Sequence, residues 1–372
     1  MKAEGRHFET IWLKPGNPAV VQVIDQRFLP FELVIEDLVS VEDVYTAIRD
    51  MHIRGAPLIG AAAAFGIYLA LLQGKGKDSP GEWLRQKAQW LKSARPTAVN
   101  LFSCIDRVVR AVSAEGSLGV MQERALEEAL KIVGEERESC RKIGEYGLPL
   151  IEEVSRRKRG EPVNILTHCN AGWLACIDFG TATAPVYRAH EKGIPVHVWV
   201  DETRPRNQGS RLTAWELHQN GVSYTLIADN TGGHLMQHGR VDMVLVGSDR
   251  TTIRGDVANK IGTYLKALAA FDNAVPFYVA LPSSSIDWSV EDGVSDIIIE
   301  ERGGDELLYS DVYTAGEWKR YPIAMAESRV LNAGFDVTPA RLVTALITER
   351  GLCKAEKNSI FELFPEKKPK RL

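Results

Sequence analysis

The sequence predicts an α/β protein whose second half is a parallel sheet covered by helices on both faces. Three observations predict it. After Pro162 the chain alternates apolar runs with helical stretches, the pattern of βα units. Before Gly160 it reads as short strands followed by a series of helices. Between the two, Arg156-Arg157-Lys158-Arg159 and Gly160-Glu161-Pro162 mark a change of character. A smaller N-terminal domain of mixed strands and helices over 1–160 and a second domain over 161–372 are therefore expected.

Residues 9–38 alternate loosely and are rich in Ile, Val, Phe and Leu, with breaks at Pro15, Pro18 and Pro30, so short β-strands are expected there. From Val41 the spacing turns helical, and VEDVYTAIRDM forms one helix that ends near residues 52–55. Leu58 to Leu72, LIGAAAAFGIYLALL, falls short of the ~18–20 residues that span a bilayer. Gly60, Gly66 and four alanines suit it to a helix packed closely on all sides. Helices follow around 81–93, from Pro96-Thr97 to Val112, and as a long amphipathic stretch over 118–158. The basic run after it reads as a solvated helix end, where cations are favoured. The tail EKKPKRL reads as a soluble terminus.

In the second half VNILTHC, PVHVWVDE, SYTLIADN, VDMVLVGSD and PFYVALPS are the expected strands. Helical stretches lie between them around 173–191, 211–219, 233–238 and 257–271. In a parallel sheet the polar endings share one edge. Cys169, Asp201, Glu202, Asp229, Asn230, Ser248, Asp249 and Ser283 to Ser285 therefore converge where open α/β sheets bind ligands.

Composition narrows the function. A net charge of −4 gives no general attraction to nucleic acid or an anionic membrane. Five cysteines without a CxxC pattern favour free thiols in a reducing cytosol, and no spacing resembles a zinc site. A signal-peptide pattern is missing from MKAEGRHFETIW. GxGxxG and GxxxxGK[ST] are absent, so nucleotide binding through those loops is not expected. No metal or organic cofactor is expected.

Several residues at the shared edge carry chemistry. Cys169 ends an apolar strand, and with an apolar helix expected next its thiolate gains from the helix N-terminus; the alternative is a small packed residue. Asp249, after another apolar run, suits a general acid whose proton is held by desolvation; the alternative is a helix cap or a pair with Arg250. In GDVANKIGTYL, Asn259 and Lys260 fall in the expected first turns of a helix, where a bound phosphate would balance an otherwise misplaced lysine. In RGAPLIG, Arg54 and the Gly55 and Ala56 amides precede Pro57 and form an anion cup. Arg95 stands in the same way before Pro96. In the polar loop after PVHVWVDE, Gln208 suits a sugar hydroxyl, while Arg204, Arg206 and Arg211 read as structural. His168 adjoins Cys169 on a strand and so faces away from it. Cys104, Cys140, Cys176 and Cys353 read as packing.

RGAPLIG, RPTAVNL, THCNAG, DETRPRNQGSRLTAWEL, GSDR, GDVANKIGTY and FDVTPARLVTALITERG together resemble the methylthioribose-1-phosphate isomerase family, in order and spacing, from about residue 10 to 365. The resemblance implies a Rossmann-like catalytic second domain, a homodimer, and an aldose–ketose isomerisation of 5-methylthioribose 1-phosphate in methionine salvage. It implies Cys169 and Asp249 as the catalytic pair. Arg54, Gly55, Ala56, Arg95, Gln208, Asn259 and Lys260 correspond to its substrate-binding positions. TGGHLMQHG after IADN and the run Thr251-Thr252-Ile253-Arg254 depart from the family pattern. They leave 5-deoxyribose 1-phosphate as an alternative or additional substrate. The non-catalytic alternative is a regulatory subunit of translation initiation factor 2B, and ribose 1,5-bisphosphate isomerase is a further enzymatic one.

Overall fold

The computed structural model describes residues 1–76, 79–95, 99–112 and 117–368. The expected helix start at Pro96-Thr97 and the last four residues of the basic tail lie outside them.

Three short strands, β1 (Ile11–Leu13), β2 (Val21–Asp25) and β3 (Val34–Leu38), pair antiparallel in that order. Pro15, Pro18 and Pro30 fall in their connections, where a missing N–H breaks no ladder. Helix α1 (Val41–Arg49) follows, with Ser40 accepting the Asp43 N–H at 3.1 Å as its N-cap. Next come α2 (Ala56–Gln73), α3 (Pro80–Lys92), α4 (Val99–Val112) and α5 (Leu118–Arg157). Helix α2 is long and apolar enough to cross a membrane, and it is buried inside the fold. Its glycines are the contact points. A Cβ on Gly60 would lie 2.8 Å from Cys104 Sγ, and one on Gly66 2.9 Å from Leu91 Cδ2.

Helix α5 runs 40 residues, roughly 60 Å. Its first half, with Ala125, Ala129 and Val133, completes the core around α2. Its second half, with Ile143, Leu148 and Ile151, lies on the main sheet.

That sheet has seven strands. In chain order they are β4 (Val163–Thr167), β5 (Val196–Asp201), β6 (Ser223–Ile227), β7 (Met243–Val246), β10 (Phe277–Ala280), β15 (Ala345–Thr348) and β16 (Gly351–Cys353). Their spatial order is β16-β15-β10-β7-β4-β5-β6, all parallel except β16. Ile165, Val198 and Met243 pack on one face, with residues of α5, α6 (Ala184–Glu191) and α7 (Ala214–Gln219). Leu166, Val244 and Val279 pack on the other, with α8 (Thr231–Gln237), α9 (Thr263–Asp272) and α10 (Lys357–Leu363). Burial on both faces is why these strands read as unbroken apolar runs.

Two structures sit beside the sheet's carboxyl edge. The first is a four-stranded sheet of β8 (Arg250–Thr252), β9 (Val257–Lys260), β11 (Ile286–Asp287) and β14 (Phe335–Thr338), in the order β11-β8-β9-β14. The second is an exposed hairpin of β12 (Tyr309–Thr314) and β13 (Glu317–Pro322).

Two expected helices differ. The stretch 173–191 holds only a short turn at Trp173–Ala175, and α6 starts at Ala184. Phe179 and Gly180, both left-handed at φ 62° and 82°, interrupt any helix between. The stretch 257–271 is helical only from Thr263, because Val257–Lys260 pairs with β8 and β14, and Gly262 at φ 101° separates strand from helix.

Candidate active site

The strand order locates the crevice. From β4 the chain winds outward through β5 and β6, then returns to β7 on the other side of β4. Loops leaving the carboxyl ends of β4 and β7 therefore diverge and open a cleft between them. Cys169 follows β4 by two residues, and Asp249 follows β7 by three.

The Cys169 loop is fixed by hydrogen bonds at every position. Cys169 adopts a left-handed backbone, φ 64°, which costs an ordinary residue about 1–3 kcal/mol. Its N–H donates to Thr203 Oγ1 at 2.8 Å, its carbonyl accepts from Thr213 Oγ1 at 2.7 Å, and its thiol donates to Gln208 Oε1 at 3.1 Å. Behind it the buried Glu216 carboxyl accepts from Asn170 Nδ2, Trp173 N and Leu174 N at 2.8–3.0 Å, and from Tyr187 OH at 3.2 Å. A Cβ on Gly172 would lie 1.7 Å from Glu216 Oε2, so the loop requires glycine there. Burial raises the Glu216 carboxyl to about 7, against the pull of those donors.

Burial also decides the state of the thiol. It pushes Cys169 above the ordinary cysteine value; Arg54 and Lys260 pull it down, and Asp249 pushes it further up. No α-helix starts beside it, so the expected dipole stabilisation of a thiolate is missing, and the resting sulfur is a neutral donor to Gln208.

Cations surround this sulfur. Arg54 is buried and donates through Nη1 to the Asn170 carbonyl at 2.7 Å and to its side-chain oxygen. Lys260 is also buried, donates to the Gly334 carbonyl at 2.9 Å and lies 4.8 Å from the Phe335 ring centroid. Burial lowers its ammonium below the ordinary lysine value, while Cys169 and Asp249 raise it. Contrary to expectation, Lys260 ends strand β9 rather than opening a helix. Neighbouring Asn259 is buried and donates to Thr263 Oγ1 at 3.0 Å.

Asp249 lies on the opposite wall. Its N–H is held by the Ala258 carbonyl at 3.0 Å, and Arg250 pairs with Asp287 rather than with it. With Ala56, Arg95, Ile297, Ile299 and Phe335 it lines a small, mostly apolar cavity of about 40 Å³. Arg95 pairs with Glu300 at 3.2 Å. Gly55 is the N-cap of α2 at φ 99°, and a Cβ there would lie 2.2 Å from the Ala175 carbonyl oxygen, on the Cys169 loop. Arg54 and Gln208 instead line a wider cavity of about 450 Å³, whose wall includes Arg27, Met51, Arg211, Asp311, Trp318 and Arg320. The expected residues thus form a buried centre of Cys169, Arg54, Lys260 and Gln208 flanked by two cavities.

Sequence reasoning missed Thr203, Thr213 and Glu216, although all three stand in the polar loop motif and its extension. It also missed the hairpin residues; Ala315-Gly316, both at positive φ between two alternating runs, is the signal that marks such a turn. His168 does face away from Cys169. Its Nδ1 meets Asp201 and its Nε2 the Ile261 carbonyl, each at 2.8 Å. His168, Asp201 and Asp229 bring ligand-type atoms within 4.8 Å of one another. Asp201 Oδ2 also pairs with Lys266, and Asp229 accepts the N–H groups of Thr203 and Arg204, so protein partners hold these atoms of the cluster and leave Asp201 Oδ1 without one.

Comparison with known proteins matches residues 52–355 to the initiation factor 2 subunit family, IF-2B. The methylthioribose-1-phosphate isomerase of Desulfatibacillum aliphaticivorans is 55% identical over 367 residues, covering 99% of this chain and 100% of the relative. That of Rhizobium meliloti is 52% identical, covering 99% and 100%. Among solved structures, 5-methylthioribose 1-phosphate isomerase from Pyrococcus horikoshii is 39% identical with a TM-score of 0.82, covering 97% of each chain. A structure described as translation initiation factor eIF-2B, subunit delta, from A. fulgidus is 40% identical with a TM-score of 0.80, covering 96% and 100%.

Proposed function

The chain belongs to the initiation factor 2 subunit family and, within it, to the methylthioribose-1-phosphate isomerases, and from that premise we propose which residues carry the reaction. The enzyme converts 5-methylthioribose 1-phosphate to 5-methylthioribulose 1-phosphate, a step of methionine salvage. Its catalytic pair is Cys169 and Asp249, and Arg54, Gly55, Ala56, Arg95, Gln208, Asn259 and Lys260 bind the substrate. The observation that supports this assignment best is positional. The two loops flank the switch point of the sheet, with Arg54 and Lys260 close enough to shift the thiol's proton affinity.

The substrate's anomeric oxygen is esterified, so the ring cannot open as a free aldose does. Opening requires a proton on the ring oxygen as its bond to C1 breaks, and a hydrogen must then move from C2 to C1. A buried neutral thiol suits the first step, because it has a proton to give. The thiolate left behind is stabilised by Arg54 and Lys260. It then takes the C2 proton and returns it to C1, while Asp249 accepts the proton of the C2 hydroxyl. Proton transfer from Asp249 back to the sulfur resets the site. In the rival route hydride passes directly from C2 to C1, and Cys169 only positions the substrate.

Turnover in deuterated water separates the two. Deuterium at C1 of the ketose supports the relay; its absence, together with full retention of a C2 label at C1, supports hydride transfer. A panel of 5-methylthio-, 5-deoxy- and 5-phosphoribose 1-phosphates, ranked by kcat/KM, tests the preference at C5. Loss of all three activities would return the chain to the regulatory-subunit reading. We also assign a homodimer, a cytosolic location and a domain boundary at residue 160.

A further inference from the structure

Five arginines line the 450 Å³ cavity, against two aspartates. Three are neutralised: Arg27 by Asp25 at 2.7 Å, Arg206 by Glu306 at 3.0 Å and Arg320 by Asp311 at 2.9 Å. Asp50, the other acid of the wall, pairs with Arg49. Among the described residues Arg54 and Arg211 have no carboxylate within ion-pair distance. Arg54 belongs to the buried centre already described. Arg211 lies three residues beyond Gln208, in the turn Gly209–Thr213.

Arg211 is oriented by neutral partners. Its Nε donates to the Leu29 carbonyl at 3.2 Å and its Nη2 to the Arg27 carbonyl. The guanidinium carbon lies 4.1 Å from the Trp318 ring centroid, a cation–π contact made by the hairpin. Trp318 is itself packed edge-on against Phe31 and Tyr313. The cation is therefore fixed in place without an ion-pair partner: Asp311 favours its charge only from beyond pairing distance and is itself paired with Arg320, while burial and Arg206 disfavour that charge. A dianion in the cavity would remove the imbalance.

We propose that Arg211, held on Trp318, is an outer phosphate subsite that captures the sugar phosphate before it reaches Arg54 and Lys260. It acts on capture and not on the chemical step. It deepens the isomerase assignment above and rests on it.

The test uses the full-length enzyme with 5-methylthioribose 1-phosphate at several ionic strengths. In Arg211→Gln, kcat/KM falls roughly tenfold at low salt through KM, kcat stays within about twofold, and the salt dependence flattens. Arg211→Lys, which keeps the charge, retains the salt dependence and recovers part of the loss. Trp318→Leu frees the guanidinium and raises KM about threefold. Wild-type KM and salt dependence in Arg211→Gln overturn the proposal, as does a loss confined to kcat or a lysine variant no better than glutamine. Should Arg211→Gln not fold, Trp318→Leu decides, and an unchanged KM overturns it. Wild-type enzyme inactive on the substrate defeats the isomerase assignment instead. Calorimetry with inorganic phosphate, comparing wild type and Arg211→Gln, then still tests the subsite: equal affinity overturns it.

Discussion

Two segments of opposite build stand at the wider cavity: the hairpin lines it through Asp311, Trp318 and Arg320, and the loop after β4 lies behind its lining residues Arg54 and Gln208. The loop after β4 is buried, and its backbone groups and side chains are held by Thr203, Thr213, Gln208 and Glu216. The hairpin of β12 and β13 is largely exposed and leans on the rest of the chain through few contacts. Tyr313 stacks on Phe31 at 4.5 Å and donates to Glu32 at 3.1 Å, and Trp318 packs against both rings. A lone two-stranded ribbon is marginal in water. The contrast teaches a division of labour. The proposed reacting thiol sits in a segment held by hydrogen bonds along its length, and the cavity wall formed by the hairpin is the more exposed and more lightly anchored of the two.

Variants can break or sharpen that contrast. The largest effect belongs to the two groups proposed to react. Cys169→Ser and Asp249→Asn each lower turnover by about 10³-fold or more, with melting temperature and circular dichroism close to wild type. Near-normal turnover in either removes that residue from the mechanism.

Next comes Gly172→Ala. Its Cβ would overlap the Glu216 carboxyl, so the variant loses more than about 3 kcal/mol of stability in denaturant titration. A milder loss shows that the loop gives more readily than its hydrogen bonds suggest.

A smaller effect is pH-dependent. Burial lowers the Lys260 ammonium below its ordinary value of 10.5. Its charge is complete at low pH and is lost as pH rises through that depressed value. KM for the sugar phosphate therefore climbs on the alkaline side, earlier than an exposed lysine would produce. Lys260→Arg removes this limb, because a guanidinium stays charged throughout.

The smallest change is Phe31→Ala. It costs about 1 kcal/mol of global stability or less, leaves kcat unchanged, and speeds hydrogen exchange of hairpin amides alone. Faster exchange spreading into the Cys169 loop would show that the two segments are less independent than their contacts imply.

The sequence disclosed some of this and concealed the rest, for physical reasons. Strands buried on both faces carry apolar runs with polar ends, so the edge that collects Cys169 and Asp249 was legible. Their proximity was not, because it depends on β7 returning beside β4, an ordering that no local pattern records. GDVANKIGTYL reads as a helix entry, and only the ladders to Arg250–Thr252 and Phe335–Thr338 make its first part a strand. The hairpin YSDVYTAGEWKRYP is exposed on both faces and so lacks the apolar signature of a strand. The thiol's protonation was misjudged because desolvation by distant segments outweighs anything its own neighbours in sequence provide.

One contact reaches further than the site itself. Gly55 abuts the Ala175 backbone with no room for a methyl group, although the two positions lie far apart in the chain. Any lineage that drifts at one of them must compensate at the other. The N-terminal end of α2 and the sulfur-bearing loop are thereby inherited as a single rigid piece, and a chimera exchanging only one half between distant relatives would arrive with its two halves out of register.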